Sequence, residues 1–420
     1  MVDLVGDVTS GIWGEEAVRA GLLKSAVVRG ADFPRVAVGS LIGVPTRYLA
    51  AESIVKHKLA AGDLLIEISG GSDDQPTGRV VLVRPELVAS PQPVAFSNFL
   101  KRVRVDPKLV RSDFFLYLWQ YLYVQGRTRI YEQRTTGLRN FKLSDFLEKE
   151  VVTIPSLEAQ DRIASILRKV DIAREATAHV ASSTRLLRAS ALQHLLSVGA
   201  VGELEASVVA MQDTSLGPAP AHWRVVDLAD LIQIKQGQVD PRLEPYRNML
   251  HVGPENIEPG LGRIARARRA GDLGLVSGKY LFGPMDVLYS KIRPYLRKAA
   301  TPDFEGVCSA DMYPLRPKTD RITRDYLYYY LLSEGFTAQA ISLQDRTGIP
   351  KLNRHQLLSL KAPLPPIAEQ NQITSILRAI DRKLDVEDAS LAALGRLSST
   401  LLRDLIGSSM PPAAVERPNG

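Results

Sequence analysis

Apolar positions along this chain follow two rhythms. Between Met1 and Glu150 they come as short runs, such as Gly62-Asp-Leu-Leu-Ile-Glu-Ile-Ser69 and Gly78-Arg-Val-Val-Leu-Val-Arg84, separated by turn clusters such as Gly70-Gly-Ser-Asp-Asp-Gln-Pro-Thr-Gly78. Short runs rich in β-branched residues and bounded by Gly, Pro and Asp predict strands. Ser112-Asp-Phe-Phe-Leu-Tyr-Leu-Trp-Gln-Tyr-Leu122 reads instead as a helix, with Ser112 or Asp113 at its N-cap. Beyond Pro155 the rhythm becomes helical. Ile163, Ile166, Val170, Ala173, Thr177, Val180, Thr184, Leu187 and Ala191 step by threes and fours, the spacing of one seam along a long helix.

The same succession then returns. Ile154-Pro-Ser-Leu-Glu-Ala-Gln-Asp-Arg-Ile-Ala-Ser-Ile-Leu-Arg-Lys-Val-Asp171 reappears as Leu364-Pro-Pro-Ile-Ala-Glu-Gln-Asn-Gln-Ile-Thr-Ser-Ile-Leu-Arg-Ala-Ile-Asp381. A repeat of this length marks a duplicated module with its connector. Met285-Asp-Val-Leu-Tyr-Ser-Lys-Ile292 answers the strand at Asp63, Thr323-Arg-Asp-Tyr-Leu-Tyr-Tyr-Tyr-Leu-Leu332 answers the helix at Ser112, and Thr347-Gly-Ile-Pro350 answers Thr136-Gly-Leu-Arg139. The second seam runs through Leu377, Ile380, Leu384, Glu387, Leu391, Leu394, Ser398, Leu401 and Leu405.

The expected organisation is an α+β chain. A globular domain over 1–152 is followed by a long helix over 153–197 and a Gly/Ala/Ser/Pro-rich linker over 198–221. A second globular domain over 222–361, opening at Trp223, leads to a second long helix over 362–408 and a frayed tail over 409–420. A helix of this length spans roughly 60 Å. Two arrangements cover such a seam: the helices pack on each other as an intramolecular coiled coil, or each lies against its own module. The length of the seams favours the coiled coil.

Composition narrows the setting. A chain of 420 residues with 45% hydrophobic and 24% charged residues is an ordinary globular protein of two to three domains. The single cysteine, Cys308, forms no internal disulfide and no multi-thiolate zinc site. No uninterrupted apolar stretch reaches membrane-spanning length, and Met1-Val-Asp-Leu-Val-Gly-Asp7 lacks a signal peptide's basic flank and apolar run, so the expected location is cytoplasmic with no membrane partner. The net charge of +7 and a pI near 9.3 suggest a polyanionic partner.

Motifs of catalysis are missing: no phosphate-binding loop, no Gly-x-Gly-x-x-Gly, no His-Glu-x-x-His, no Cys-x-x-Cys and no [Asn/Asp]-Pro-Pro-[Tyr/Phe]. Pro302-Asp303 lacks the Glu-x-Lys of a nuclease and reads as a loop turn, and the six histidines are scattered. What remains is basic surface. Arg263, Arg266, Arg268 and Arg269 fall within seven residues, and Lys291, Arg293 and Arg297 follow. The first module offers Lys56, Lys58, Arg127, Arg129, Arg134, Arg139 and Asn140. Guanidinium forks suit phosphate oxygens and the edge of guanine. Any one cluster could be a solvated charged face, and their occurrence at similar places in two modules favours nucleic acid. In the turns Thr136-Gly137 and Thr347-Gly348, glycine lets a backbone N–H approach a phosphate, with Arg139, Asn140, Lys351 and Asn353 beside them to set register or read bases. A plain loop before the last strand is the other reading of these turns.

A variable module, a Thr-Gly-[Ile/Leu] turn, a proline-led helix start with a glutamine and a long helix, all given twice, resemble the specificity subunit of type I restriction-modification systems. The best-matching stretches are Thr347-Gly-Ile-Pro-Lys-Leu-Asn353, Pro365-Pro-Ile-Ala-Glu-Gln370 and the opening at Trp223, with Gly11-Ile-Trp-Gly-Glu15 similar to the start of some first modules. The first copy departs from the pattern, reading Glu158-Ala-Gln160 where the second reads Ala368-Glu-Gln370.

The resemblance implies two tandem target recognition domains joined by two long antiparallel coiled-coil helices with a pseudo-twofold internal repeat. Each domain would read half of a bipartite site in double-stranded DNA. The helices would set the spacer and dock two methyltransferase subunits, with restriction subunits as further partners. No cofactor is then expected on this chain, since S-adenosylmethionine, ATP and Mg belong to those subunits, and the chain itself is not an enzyme. Ile163, Ile166, Val170, Val180, Leu187, Leu377, Ile380, Leu384, Leu391, Leu394 and Leu401 are the expected packing positions. The rival readings are a helical scaffold that binds proteins without reading DNA, and a fused restriction enzyme.

Overall fold

The computed structural model describes residues 1–135, 138–200, 209–318, 320–343 and 350–407. Two compact units emerge: Met1–Ala178 with the chain from Ala389 onward, and His179–Asp388. The division falls inside both long helices, Leu157–Leu195 and Ile367–Leu401, so each unit holds a segment of each.

In the first unit a four-stranded antiparallel sheet runs, in spatial order, Val5–Ser10, Leu100–Val105, Leu64–Glu67 and Val80–Leu82. A second sheet sets Leu22–Val28 between an antiparallel Thr46–Ala50 and a parallel Val94–Phe96. The second unit repeats both plans. Ile232–Ile234, Met312–Pro317, Val287–Ser290 and Ala299–Ala300 form its four-stranded sheet. Leu250–Val252 lies between an antiparallel Arg268–Arg269 and a parallel Gly306–Cys308, in a sheet extended by Lys279–Phe282 and Gln238–Val239. Strands read over Gly62–Ser69 and Met285–Ile292 thus settle as four-residue strands. All four residues of Leu64–Glu67 are buried, as a strand covered on both faces requires.

Each unit is centred on a helix that is apolar nearly all round. Ser112–Val124 buries Phe114, Phe115, Leu116, Tyr117, Leu118, Trp119 and Leu122, and such a helix is stable only in the interior. Trp119 packs among Phe115, Phe141 and Phe146 and donates its indole N–H to the carbonyl of Gly78 at 2.7 Å. Arg324–Leu332 is its counterpart and brings three consecutive tyrosines inside. Tyr328 donates to the Leu261 carbonyl at 2.8 Å, Tyr329 to Asp381 at 2.7 Å, and Tyr330 to the Lys361 carbonyl.

The start of the first of these helices differs from the sequence expectation. Its N-cap is Arg111, and neither Ser112 nor Asp113 caps it. Help comes from the long helix instead. Gln160 accepts the Arg111 backbone N–H at 2.8 Å and donates to the carbonyls of Leu109 and Pro155 at 3.1 and 2.9 Å. In the second unit Gln370 accepts the Thr323 N–H at 2.8 Å and donates to the carbonyls of Arg321 and Pro365 at 2.8 and 2.9 Å. Both glutamines are fully buried. Three turns further along, Tyr117 donates to Asp171 at 2.9 Å, as Tyr329 does to Asp381.

Each segment of long helix therefore packs on its own module, and on the other long helix as well. Leu192, Leu195, Ile373 and Leu377 share one core with Trp223 and Tyr326, and Ala164, Leu167 and Ile406 share another with Phe115 and Trp119. In the second unit Arg185 pairs with Asp388 and Arg188 with Asp381, so residue numbers rise on one helix as they fall on the other and the segments are antiparallel. The expected seam holds at Leu377 and Leu384, which are buried, while Ile380, Leu391, Leu394 and Leu401 are half-buried. On the first helix it agrees only in part. Ile166, Val180 and Leu187 are 44%, 38% and 56% exposed, whereas Leu167, Ala181, Thr184, Arg188 and Leu192 are buried, with Val170 at the margin and Ile163 half-buried. The true seam keeps Thr184 and includes Gln160 and Arg188, polar residues that an apolar count passes over.

Part of the stretch read as a linker is also built. Met211–Thr214 and Gly217–Pro220 form an antiparallel hairpin, anchored by Gln212, which donates to the carbonyls of Pro220 and Trp223 at 3.2 and 2.7 Å. Gly217 has φ +95°, so its glycine serves the turn rather than flexibility. The tail from residue 408 lies outside the described residues.

Removing a clasp leaves buried backbone groups unsatisfied, each at about 1–3 kcal/mol. Gln370→Ala is expected to destabilise the second unit by about 3 kcal/mol, read as an earlier urea midpoint in the fluorescence of Trp223, the one tryptophan of that unit. An unchanged midpoint would show that the hydrogen bonds are dispensable.

Candidate nucleic-acid interface

In the first unit the chain before and after the Thr-Gly turn forms a hairpin, Glu132–Thr135 with Leu138–Phe141, and Ser69–Gly70 adds to its edge by pairing with Arg139 and Asn140. Thr136 and Gly137 themselves lie outside the described residues. The basic side chains of this region converge on one loop. Arg134 reaches the Asp73 carboxylate at 2.9 Å, Arg139 binds the same oxygen and donates to the Ser72 carbonyl at 2.8 Å, and Arg129 donates to the Asp73 carbonyl at 2.8 Å. Hydrogen bonding from Arg139, reinforced by the charges of Arg139 and Arg134, holds the Asp73 carboxyl below its ordinary value. The Asp73 and Arg134 side chains are 81% and 72% exposed, while that of Arg139 is 15% exposed and also lies 3.9 Å from the Glu132 carboxylate. The Asn140 amide oxygen accepts from Ser69 Oγ at 2.8 Å.

Other candidates of this unit do not join the cluster. Arg127 forms a two-pronged pair with buried Glu150 at 2.8 and 3.1 Å, which makes it a brace of the fold. Lys56 and Lys58 are exposed at the end of the helix Ala51–His57, where Arg102 binds their backbone carbonyls.

The second unit gathers a corresponding group. Ile292 bridges to Lys351, the Arg293 N–H donates to Pro350 at 2.8 Å, and the Leu352 N–H donates to Lys291 at 2.8 Å. This brings Lys291 and Arg293 to Lys351, which follows the second Thr-Gly turn in sequence; Thr347 and Gly348 themselves lie outside the described residues. Burial, and then the charge of Lys351, lowers the Lys291 pKa, and its ammonium lies 5.4 Å from the Tyr313 ring centre. Arg354, which sequence reasoning missed, stands 5.7 Å from the same ring and ties down the carbonyls of Ile234 and Lys235. Asn353 acts locally, capping the helix Arg354–Leu358 by accepting the Gln356 N–H at 2.8 Å.

The four-arginine stretch divides. Arg263 binds Asp385 and Asp388 on the second long helix at 2.8 and 2.6 Å, and so straps its loop to that helix. Gly262 beside it has φ +69°, and a Cβ there would sit 2.4 Å from the Ala299 carbonyl, so only glycine fits. Arg266, Arg268 and Arg269 are exposed. Arg297 pairs with Glu334 at 3.1 Å. Among the described residues, those other than glycine with positive φ are Arg266, Arg293 and Arg297, at 54°, 50° and 49°. Backbone strain of this kind gathers at functional sites, and no sequence pattern announces it.

Among the described residues, no group of three or more His, Cys, Asp and Glu is placed to hold a metal ion. Cys308 is buried, and burial pushes its thiol up to about 12, far from a nucleophilic thiolate at neutral pH. Burial likewise lowers the pKa of His251, which favours the neutral ring. No helix among the described residues is long and apolar enough to cross a membrane.

Two related modules, each an apolar helix packed on a four-stranded sheet and clasped to the long helices, define the fold of a type I specificity subunit. A crystal structure of a type I restriction-modification S subunit from M. genitalium matches with a TM-score of 0.62 over 98% of this chain and 96% of that one, at 16% identity. In sequence, residues 220–396 match the family described as type I restriction modification DNA specificity domain. The EcoDI specificity subunit of Escherichia coli is 30% identical over 203 residues, 47% of this chain and 44% of that one. The MjaVIII specificity subunit of Methanocaldococcus jannaschii is 22% identical over 290 residues, 65% and 64% of the two. The chain thus spans about half to two thirds of these relatives' length.

The strap at Arg263 carries a pH signature. Burial raises the pKa of Asp388, but hydrogen bonds from Arg263 and Arg185 together outweigh it and leave the pKa below the usual 3.8. The folded value is depressed, so the stabilisation is complete above the unfolded value and disappears as pH falls through the folded one. Asp388→Asn is expected to cost under about 1 kcal/mol at pH 7 and to flatten the loss of stability below pH 3.8, measured by urea unfolding across acid pH. An equally steep acid limb in the variant would overturn the assignment.

Proposed function

We propose that this chain is the non-catalytic, sequence-specific DNA-binding subunit of a type I modification complex, each module reading one half of a bipartite site. The observation that carries this is a gathered basic group in each module, Arg129, Arg134 and Arg139 in one and Lys291, Arg293 and Lys351 in the other. Phosphate contacts from such groups dominate affinity, and base-edge contacts from their neighbours supply specificity. The specificity-domain match over 220–396 points the same way. The partners are double-stranded DNA, two methyltransferase subunits docked on the long helices and, where the system restricts, restriction subunits. S-adenosylmethionine, ATP and Mg act on those subunits.

The decisive experiment is methylome sequencing of the host with this gene intact and deleted. It is to be paired with equilibrium binding of the assembled methyltransferase complex to the motif found. A bipartite motif that disappears on deletion supports the reading. An unchanged methylome, with no binding to DNA by the complex, would establish the helical scaffold instead.

Both long helices contribute to both units, and half-sites read from one face of a duplex are naturally about 34 Å apart. Insertion of one heptad into each helix is expected to lengthen the spacer of the methylated motif and leave both half-sites unaltered. Changed half-sites with the original spacer would refute the helices as the ruler.

Asp73 occupies Arg134 and Arg139 in the free chain, so it competes with a phosphate for them. Asp73→Ala is expected to raise DNA affinity several-fold and to steepen the dependence of log K on log salt by about 1. Arg139→Ala should weaken all DNA sequences alike and make that slope shallower. Affinity that falls in Asp73→Ala would mean that the loop, not the arginines, makes the contact.

A further inference from the structure

In the four-stranded sheet of the second unit, Val287–Ser290 and Ala299–Ala300 form a hairpin whose tip is Lys291-Ile-Arg-Pro-Tyr-Leu-Arg-Lys298. The backbone of this tip is tied down along its length. Ser290 N–H donates to the Lys298 carbonyl at 2.9 Å, Lys291 N–H to the Asp311 carbonyl at 3.0 Å and Arg293 N–H to the Pro350 carbonyl at 2.8 Å, while the Arg297 carbonyl accepts the Gly260 N–H at 3.1 Å. Pro294 is buried, and Leu296 N–H closes the turn on the Arg293 carbonyl at 2.9 Å. Such a loop holds one shape.

That shape puts Arg293 and Arg297 in the left-handed region, at φ 50° and 49°. A side chain is strained there, and glycine is not. The hairpin at the same place in the first unit, Leu64–Glu67 with Val80–Leu82, follows the usual rule: the positive-φ residues of its loop are Gly70, Gly71 and Gly78. Where a hairpin needs only a bend, glycine suffices, so an arginine at such a position is there for its side chain. For Arg297 that side chain has a visible task, since it pairs with Glu334 at 3.1 Å. The flanking lysines are engaged as well, Lys298 by the Pro254 carbonyl at 2.6 Å and Lys291 by the Asp311 carboxylate at 3.8 Å. Arg293 differs. It is exposed, and among the described residues nothing hydrogen-bonds or pairs with its guanidinium. A fixed backbone thus presents an unoccupied fork at a hairpin tip.

A two-stranded ribbon fits the major groove, and a guanidinium fork meets O6 and N7 on the edge that guanine shows there in an intact base pair. A phosphate can be met from many directions and needs no left-handed residue; exposed Lys351, bridged to Ile292 beside the tip, suits that role. We infer that this hairpin tip enters the major groove of the second module's half-site and that Arg293 reads a guanine there. The inference rests on the DNA-reading function proposed above, and adds the element that enters the groove and the base that one residue selects.

The test measures equilibrium binding of the assembled methyltransferase complex to duplexes carrying each single base change in both half-sites. It compares wild type with Arg293→Gly and Arg293→Asn, two residues that suit a left-handed backbone. Wild type should lose about ten-fold when one particular G·C pair of one half-site is replaced. Both variants should bring that loss within about three-fold at that pair alone and keep full discrimination at the other pairs, which also certifies a folded chain. Their thermal unfolding midpoints should equal or exceed wild type, because a strained side chain is removed; lower midpoints with losses at many positions would mark a structural residue and overturn the reader. Weakening spread evenly over every duplex, with a shallower salt dependence, would make Arg293 a phosphate contact and overturn it too. So would unchanged discrimination, or a flattened position that is A·T. Absence of discrimination in wild type would instead refute the DNA-reading function itself.

Discussion

A buried glutamine closes the start of the central helix in each unit, and the rest of the architecture depends on it. An apolar helix such as Ser112–Val124 gains its stability from complete burial, yet burial leaves the polar backbone at its first turn without water. Arg111, at the N-cap, contributes no capping side chain. Gln160 supplies one acceptor and two donors in a single side chain, and Gln370 does the same for Arg324–Leu332. Because each glutamine also binds the proline that opens its own long helix, the interaction that completes the module's core fixes where that helix begins. The Tyr117–Asp171 and Tyr329–Asp381 bonds then fix its rotation.

Much of this was legible in the sequence, and what was not has physical causes. The repeat announced the modules because Pro, Gln and Asp stand at equal intervals in both copies, and those are the residues that make the clasps. The mismatch between Glu158-Ala-Gln160 and Ala368-Glu-Gln370 turns out to lie beside the clasp. Glu369 serves His222 and Trp223 at 2.8 and 3.1 Å, contacts for which Ala159 has no side chain, and the glutamines act alike. The seam of the first helix was misread in part because the residues that enter it include Arg188. An arginine is buried there only because Asp381 and the Gly260 carbonyl receive it, and those partners are distant in sequence.

The basic clusters show the same limit. Counting arginines cannot separate those that face solvent from those bound within the fold, since the deciding acids lie far along the chain. Arg127 meets Glu150, and Arg263 meets Asp388 across 125 positions.

The likeness of the two units stops where the long helices meet. In the register of the repeat, Arg185 and Arg188 correspond to Gly395 and Ser398. In the second unit the arginines reach Asp388 and Asp381, and the cleft beside Asp381 is about 330 Å³. In the first unit Gly395 and Ser398 line a cleft of about 590 Å³ beside Asp171. Asp171 nevertheless keeps its bond to Tyr117. The clasp therefore does not need the arginine beside it, and this independence is what lets two copies of one frame carry different side chains around an unchanged anchor.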